Sequence, residues 1–170
     1  MAAPDSSAVS LGRVRKVLVT GMSGTGKSSA LTELGRRGFE VVDTDRGGWT
    51  FWSDAEDGQV WDEERIGELL ERERTRTLYV SGTVSNQGRF YPRFDAVVLL
   101  SAPTEVLLQR IASRETNQYG KRREERELIL RHLAEVEPLL RATCTHELDA
   151  SQPLETVVAQ LIAIGNDARE

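Results

Sequence analysis

Gly21-Met22-Ser23-Gly24-Thr25-Gly26-Lys27-Ser28 is the stretch on which the fold turns. Ahead of it stands Lys16-Val17-Leu18-Val19-Thr20, whose apolar run reads as a short buried strand. Behind it, Leu31 and Leu34 recur at helical spacing between Lys27 and Arg37, and Gly38 is placed to end that helix. The spacing G-x-x-x-x-G-K-[ST], set between a strand and a helix, is that of a phosphate-binding loop. Its glycines let the backbone wrap so that consecutive N–H groups, from Gly21 through to Ser29 in the first helical turn, point at phosphate oxygens. The helix N-terminus adds a field that favours anions. Lys27 is placed to bridge the β- and γ-phosphates of a bound nucleotide, and the Ser28 hydroxyl to bind Mg²⁺.

Outward from the loop, strand-like and helix-like segments alternate, the mark of an α/β fold with a parallel sheet. Phe39 to Val42 is a second strand that finishes at Asp43-Thr44-Asp45. Residues 46–61 read as irregular and hold all three tryptophans, Trp49, Trp52 and Trp61. A helix is predicted from Asp62 to Arg76, with Ile66, Leu69 and Leu70 on one face. Thr77 to Ser81 is a third strand, and Asp95 to Ser101 a fourth, nearly continuous in apolar residues as a strand covered on both faces should be. Pro103 suits the first turn of a helix carrying Val106, Leu107, Leu108 and Ile111. The polar stretch Glu115 to Glu127 precedes a helix bearing Leu128, Leu130, Leu133 and Val136. Cys144 to Leu148 is a fifth strand, and Ser151 and Pro153 open a last helix with Leu154, Val157, Val158, Leu161 and Ile162 facing inward. The expected architecture is a three-layer α/β sandwich, a five-stranded parallel sheet with helices on both faces. One domain is expected over 15–170, behind a flexible N-terminal tail, 1–14.

A chain of 170 residues fits one such domain, and 39% hydrophobic with 29% charged residues supplies a core and excludes disorder throughout. No apolar run approaches the roughly 20 residues of a membrane helix. Met1 to Lys16 has no apolar h-region and does not read as a secretory signal. The single cysteine, Cys144, excludes a disulfide framework and a cysteine-cluster metal site, and points to a reducing, cytoplasmic setting. A net charge of −5 argues against a nucleic-acid partner held by phosphate neutralisation. His132 and His146 are isolated and read as structural or exposed. A monomer or a homodimer is compatible with the amphipathic helices.

Phosphate-binding loops serve kinases, GTPases and motor ATPases alike. GTPases usually carry an N-K-x-D string for guanine, and none occurs here. A motor or AAA-type ATPase is expected to have a longer chain and a strand ending in adjacent acids, whereas the third strand ends Tyr79-Val80-Ser81-Gly82. The acids stand at the end of strand two instead, in Val42-Asp43-Thr44-Asp45. On the phosphate loop, this D-x-D and the spacing to Arg110-Ile-Ala-Ser-Arg114, the chain resembles the small P-loop kinases of the shikimate kinase-like and nucleoside-monophosphate kinase-like group.

That resemblance implies a P-loop NTPase fold of the adenylate/shikimate kinase type with a small lid, and the cofactors ATP and Mg²⁺. It implies that Asp43 holds Mg²⁺ through water and that Asp45 orients or deprotonates the acceptor hydroxyl, for which a carboxylate beside the γ-phosphate is suited. Either aspartate would serve equally well as a cap on the following turn. It further implies a lid over 115–127 that closes Arg110 and Arg114 over the transferring group, with Arg114 the catalytic cation and Gly120 a hinge. Four-residue spacing puts both arginines on one helical face, although an ordinary solvated charged helix accounts for the same run. Leu148 to Pro153 resembles the segment that contacts the adenine ring by its backbone, which brings Ser151, Gln152 and Pro153 into the nucleotide site. Ser151 and Pro153 would also cap the last helix.

Segments 46–61 and 82–94 fall where that group binds the phosphoryl acceptor. Trp49 and Trp52, with Phe51 between polar neighbours, either stack on a ring or sugar face or pack between this segment and the sheet. Arg46 and Arg89 are placed to meet an anionic acceptor, and Gly82 opens a polar loop able to hydrogen-bond one. Neither the triple-glycine string of shikimate kinases nor the D-G-x-P-R string of adenylate kinases is present. The expected activity is transfer of the ATP γ-phosphoryl group to a small molecule, first a nucleoside or nucleotide, with a shikimate-like, sugar-acid or antibiotic hydroxyl as the alternative. A regulatory ATPase acting through a protein partner is the reading from another class. Asp45 separates the two, because a switch has no need of an acceptor-facing carboxylate.

Overall fold

The computed structural model describes residues 14–167, so all but one residue of the expected tail lies outside the described residues. The chain runs β1 (Lys16–Thr20), α1 (Lys27–Arg36), β2 (Glu40–Asp43), β3 (Thr50–Ser53), β4 (Gly58–Trp61), α2 (Glu63–Glu71) and β5 (Leu78–Ser81). A 3₁₀ turn (Gln87–Arg93) leads to β6 (Ala96–Ser101), α3 (Thr104–Ser113), α4 (Arg123–Glu135), α5 (Glu137–Thr143), β7 (His146–Asp149) and α6 (Leu154–Asn166). Five strands form one parallel sheet in the order β2-β5-β1-β6-β7, as the alternation of elements predicts.

Alternation along β1 sets the layers. Val17 and Val19 join the core on one face with Leu31 and Leu34 of α1 and Val158 and Leu161 of α6. Leu18 joins the core on the other face with Ile66, Leu69 and Leu70 of α2, with Phe90 of the 3₁₀ turn and with Phe94 just after it. α4 and α5 close a smaller cluster around Met22, Leu99 and Leu140. Because the strands are parallel, their C-terminal ends share one edge, and the loops after β1, β2, β5, β6 and β7 gather there.

Three expectations are corrected. Segment 46–61 is not irregular: β3 and β4 pair antiparallel, Thr50 opposite Trp61 and Ser53 opposite Gly58. The Asp57-Gly58 turn allows this, with Asp57 in the left-handed region at φ 48°. α2 ends at Glu71 rather than Arg76, because Arg74 folds back to donate to the Leu69 carbonyl (2.8 Å) and to pair with Glu40 (3.2 Å). The helix expected from Leu128 begins at Arg123, where the Glu125 carboxylate accepts from the N–H groups of Gly120 (3.0 Å) and Arg122 (3.3 Å). The polar stretch 115–127 is therefore a loop followed by the first turn of α4.

The hairpin is a sheet of its own, and side chains tie it to the body. Trp61 is fully buried, meets Phe90 edge-on at 5.8 Å and donates its indole N–H to Thr44 Oγ1 (2.9 Å). Asn86, also buried, takes the place of a strand partner: its Oδ1 accepts from Trp61 N–H (2.8 Å) and its Nδ2 donates to the Trp61 carbonyl (3.1 Å).

Candidate active site

A cleft of about 460 Å³ opens at the C-terminal edge of the sheet. Ser23 to Ser29 form its floor, Asp45 and Arg46 one wall, Arg110, Arg114, Thr116 and Asn117 the rim, and Ala150, Gln152, Leu154 and Val157 the far end. Gly24 has φ +85°, and a Cβ there would press on the Leu107 carbonyl at 2.9 Å, so glycine is required for the wrap. Thr25 steadies the loop by donating its hydroxyl to the Met22 carbonyl (2.9 Å). Gly21 and Met22, expected in the nucleotide site, do not line the cleft, and Met22 packs with Leu99 instead.

Lys27 opens α1, and its ammonium donates to the carbonyls of Gly21 and Met22 (3.2 Å to the latter). Burial holds its pKa below the usual lysine range, against the attraction of Asp45 and Asp43 and with the help of Arg114. Ser28 donates to Asp43 Oδ2 (2.7 Å), while Asp43 Oδ1 accepts from Asp45 N–H (3.1 Å) and the Ser81 hydroxyl (3.3 Å). Asp43 thus stands behind Ser28 and Asp45 faces the cleft. Burial raises the Asp45 pKa, opposed first by Lys27. Among the described residues no three His, Cys, Asp or Glu side chains gather to hold a metal. A hydroxyl beside a carboxylate is nevertheless a donor set that fits Mg²⁺, which takes one or two protein oxygens and completes its shell with phosphates and water.

Arg110 joins two loops, donating to the Ala150 carbonyl (2.6 Å) and to the Gly24 carbonyl (3.4 Å). Arg114 organises the rim loop by donating to the carbonyls of Asn117 (3.1 Å) and Tyr119 (2.6 Å). Burial lowers its pKa from the usual arginine value. Gly120, expected as a hinge, has φ +89° and lies close against Ile111 and Ile129, so the far end of that loop is pinned by packing.

The acceptor-side expectations divide. Arg46 lines the cleft with Asp45, but Trp49, Trp52, Gly82 and Arg89 do not. Trp49 packs on the core below and carries the Arg65 guanidinium 4.3 Å from its ring centre. Trp52 is exposed and donates to Asp54 (2.9 Å). Gly82 abuts Thr44 and Trp61, and Arg89 pairs with Glu63 (2.6 Å) and Glu56 (2.7 Å). Ser151 spends its N–H and hydroxyl on Asp149, and Pro153 caps α6 without lining the cleft. Thr83 was missed: its hydroxyl donates to the Gly21 carbonyl (2.7 Å), bracing the phosphate loop from the end of β5. Thr116, Asn117, Leu154 and Val157 were also missed as lining. Only the Asn117-x-Tyr119 turn, in which Asn117 Oδ1 accepts from Tyr119 N–H (2.9 Å), offered a local signal.

The family model described as "AAA domain" matches residues 17–131, from β1 across the phosphate loop and into α4. The chain belongs to that family. The expectation that set AAA-type proteins aside is corrected at the level of family, although β5 does end without an acid. No curated protein matches the sequence. Among solved structures, a shikimate kinase from Acinetobacter baumannii in complex with shikimate superposes with a TM-score of 0.62 at 17% identity, over 91% of this chain and 94% of that one. A gluconokinase from Sinorhizobium meliloti gives 0.59 at 21% identity, over 89% and 91%. A sugar kinase from Janibacter sp. gives 0.53 at 23%, over 88% and 93%. The architecture is that of the shikimate kinase-like P-loop proteins, as the sequence resemblance implied.

Proposed function

We propose that the chain is an ATP- and Mg²⁺-dependent phosphotransferase that moves the γ-phosphoryl group to a hydroxyl of a small-molecule acceptor. The observation that carries this reading is Asp45, a carboxylate facing the cleft beside Lys27, its pKa raised by burial. The nucleotide would supply the electrophilic phosphorus, with Mg²⁺ on Ser28 and Asp43 offsetting its charge. The loop N–H groups and Lys27 bind the phosphates. Arg114 leaves its loop carbonyls to meet the charge that develops on the transferring group. Asp45 accepts the proton of the acceptor hydroxyl as its oxygen bonds to the γ-phosphorus and the bond from that phosphorus to the β,γ-bridging oxygen breaks, releasing ADP; a carboxylate whose pKa is raised suits that role.

For the acceptor, the lining supports a hydroxyl-rich, anionic molecule of the sugar-acid or cyclic-polyol kind over a nucleoside. Asp45 and Arg46 line that wall, and no aromatic ring does. The fold neighbours, a shikimate kinase, a gluconokinase and a sugar kinase, point the same way. The test is ADP release with Mg·ATP against sugar acids, shikimate, aminocyclitols, nucleosides and nucleotides, with Lys27→Ala as blank. Strong stimulation by one class is the expected result. A slow, acceptor-independent rate would favour the regulatory ATPase, and a rate equal to the blank would refute the kinase reading.

A further inference from the structure

Thr20 and Gln87 are buried polar residues, 0% and 3% exposed, that do not line the cleft and that no step described so far uses. Their hydrogen bonds run in one direction. Gln87 Oε1 accepts from Val84 N–H (2.9 Å), while Nε2 donates to Thr20 Oγ1 (3.1 Å) and to the Tyr91 hydroxyl (2.9 Å). Thr83 gives its one hydroxyl hydrogen to the Gly21 carbonyl (2.7 Å), so in the 3.2 Å contact between the two threonines Thr20 is the donor. The chain therefore leads from Gln87 through Thr20 and Thr83 to the Gly21 carbonyl, which also accepts from the Lys27 ammonium. Gly21 has no room for a side chain that could hold it: its φ is +149°, and a Cβ would meet the Leu100 carbonyl at 2.5 Å. The direction of its peptide is set from outside.

An ammonium has three N–H donors. Lys27 spends them on the Gly21 and Met22 carbonyls, and bridging two phosphates takes two, so one carbonyl must be given up. The Met22 contact is the one to release, because it is long at 3.2 Å and that carbonyl also accepts from the Thr25 hydroxyl (2.9 Å). The Gly21 carbonyl then remains as the pivot on which the ammonium turns. We propose that Thr83 is a positioning residue that aims this carbonyl, and through it Lys27, at the phosphates, with Thr20 and Gln87 holding the Thr83 hydroxyl in place. The inference rests on the nucleotide-binding reading and deepens it. Each bond in such a chain polarises the next, which strengthens the last one, the bond that fixes the carbonyl.

The test measures equilibrium binding and needs no acceptor. Displacement of a fluorescent N-methylanthraniloyl-ADP from the full chain, with Mg²⁺ present, gives Kd values for AMP-PNP, a non-hydrolysed ATP analogue, and for AMP, which lacks the phosphates that Lys27 reaches. Thr83→Val keeps the side-chain shape and removes the hydroxyl; it should weaken AMP-PNP about 5- to 50-fold and AMP by less than about twofold. Thr83→Ser restores the hydroxyl and should stay within about threefold of the wild type. In a Lys27→Met background Thr83→Val should change AMP-PNP affinity by less than about twofold, since the residue it acts through is gone. Thr20→Val cuts the chain one link earlier and should weaken AMP-PNP about 2- to 5-fold, so it carries the test if melting curves show that Thr83→Val does not fold. Equal losses for AMP and AMP-PNP in either valine variant, the same Thr83→Val loss with and without Lys27, or a Thr83→Ser as weak as Thr83→Val would overturn this role and leave the phosphate-loop reading standing. Failure of the wild type to bind the probe and AMP-PNP would overturn both.

Discussion

Asn86→Ala isolates the attachment of the hairpin to the body. The wild-type side chain satisfies both backbone groups of Trp61, at 2.8 and 3.1 Å, in a place where Asn86 is 4% and Trp61 0% exposed. Removing it leaves a buried N–H and a buried carbonyl without partners, each worth about 1–3 kcal/mol. The two together make about 2–6 kcal/mol, and a water that enters and satisfies one of them only in part keeps the loss in the lower half of that range, about 2–4 kcal/mol. For a chain of this size 1 kcal/mol is about 2–4 °C, so the melting temperature should fall by about 5–15 °C. Thermal denaturation followed by far-ultraviolet circular dichroism, with urea titration alongside, reads this directly. The control is Arg89→Met, which removes the exposed ion pairs to Glu56 and Glu63 on the same face. Screened pairs of that kind contribute little, so the control should shift by no more than about 2 °C. An Asn86→Ala loss no larger than the control's would refute the argument that the buried amide, rather than the surface charges, fastens the hairpin.

Two further outcomes follow from the charges in the cleft. Burial raises the Asp45 pKa in the folded protein, so the folded chain binds that proton more tightly than the unfolded chain, and stability is lost as pH rises through the raised value. Asp45→Asn should therefore melt higher than the wild type at pH 7 and equally at pH about 3, below the ordinary carboxylate range. It should also lower acceptor phosphorylation by about 10²–10⁴-fold with ADP affinity nearly kept. A lower melting temperature at pH 7, or unchanged transfer, would contradict the role given to this carboxylate. Arg114→Met should reduce kcat by roughly 10³-fold, and Arg114→Lys should not restore it, because an ammonium lacks the planar fork that reaches two acceptors at once. Steady-state kinetics alongside ADP binding separates this from a loss of nucleotide affinity.

The phosphate-loop side of the cleft was legible because its pattern is local. Gly21 to Ser28 is contiguous, the flanking apolar runs declare their periods, and the Asp43-Thr44-Asp45 triplet ends a strand whose neighbours place it beside Ser28. The hairpin side was not, because aromatic residues of a loop look alike in sequence whether they bind or pack. Trp61 is core, Trp49 lies under Arg65, and Trp52 faces outward, which only the pairing of β3 with β4 decides. That hairpin did leave a trace, the Asp57-Gly58 turn between Thr50-Phe51-Trp52 and Gln59-Val60-Trp61, outweighed by the polar residues around it. The boundary of α2 depends on Arg74 reaching back to Leu69, a contact with no signature in a periodic pattern. Thr83 reaches the phosphate loop and Leu154 the cleft through the sheet order, which no single segment encodes.

The guanidinium of Arg110, fastened at once to the Gly24 and Ala150 carbonyls, makes one rigid yoke of the phosphate loop and the turn before α6. The distance between them, which fixes the length of that side of the cleft, is thereby set by the fold itself. The β3–β4 hairpin shares no ladder with the main sheet and is held by side chains and by one backbone bond, from Ser85 N–H to the Gln59 carbonyl (3.0 Å). A molecule built this way is interchangeable on one side and invariant on the other. Grafting a different hairpin between Arg46 and α2, with Trp61 and Asn86 retained as its fastenings, would leave the phosphate loop and the turn before α6 in place.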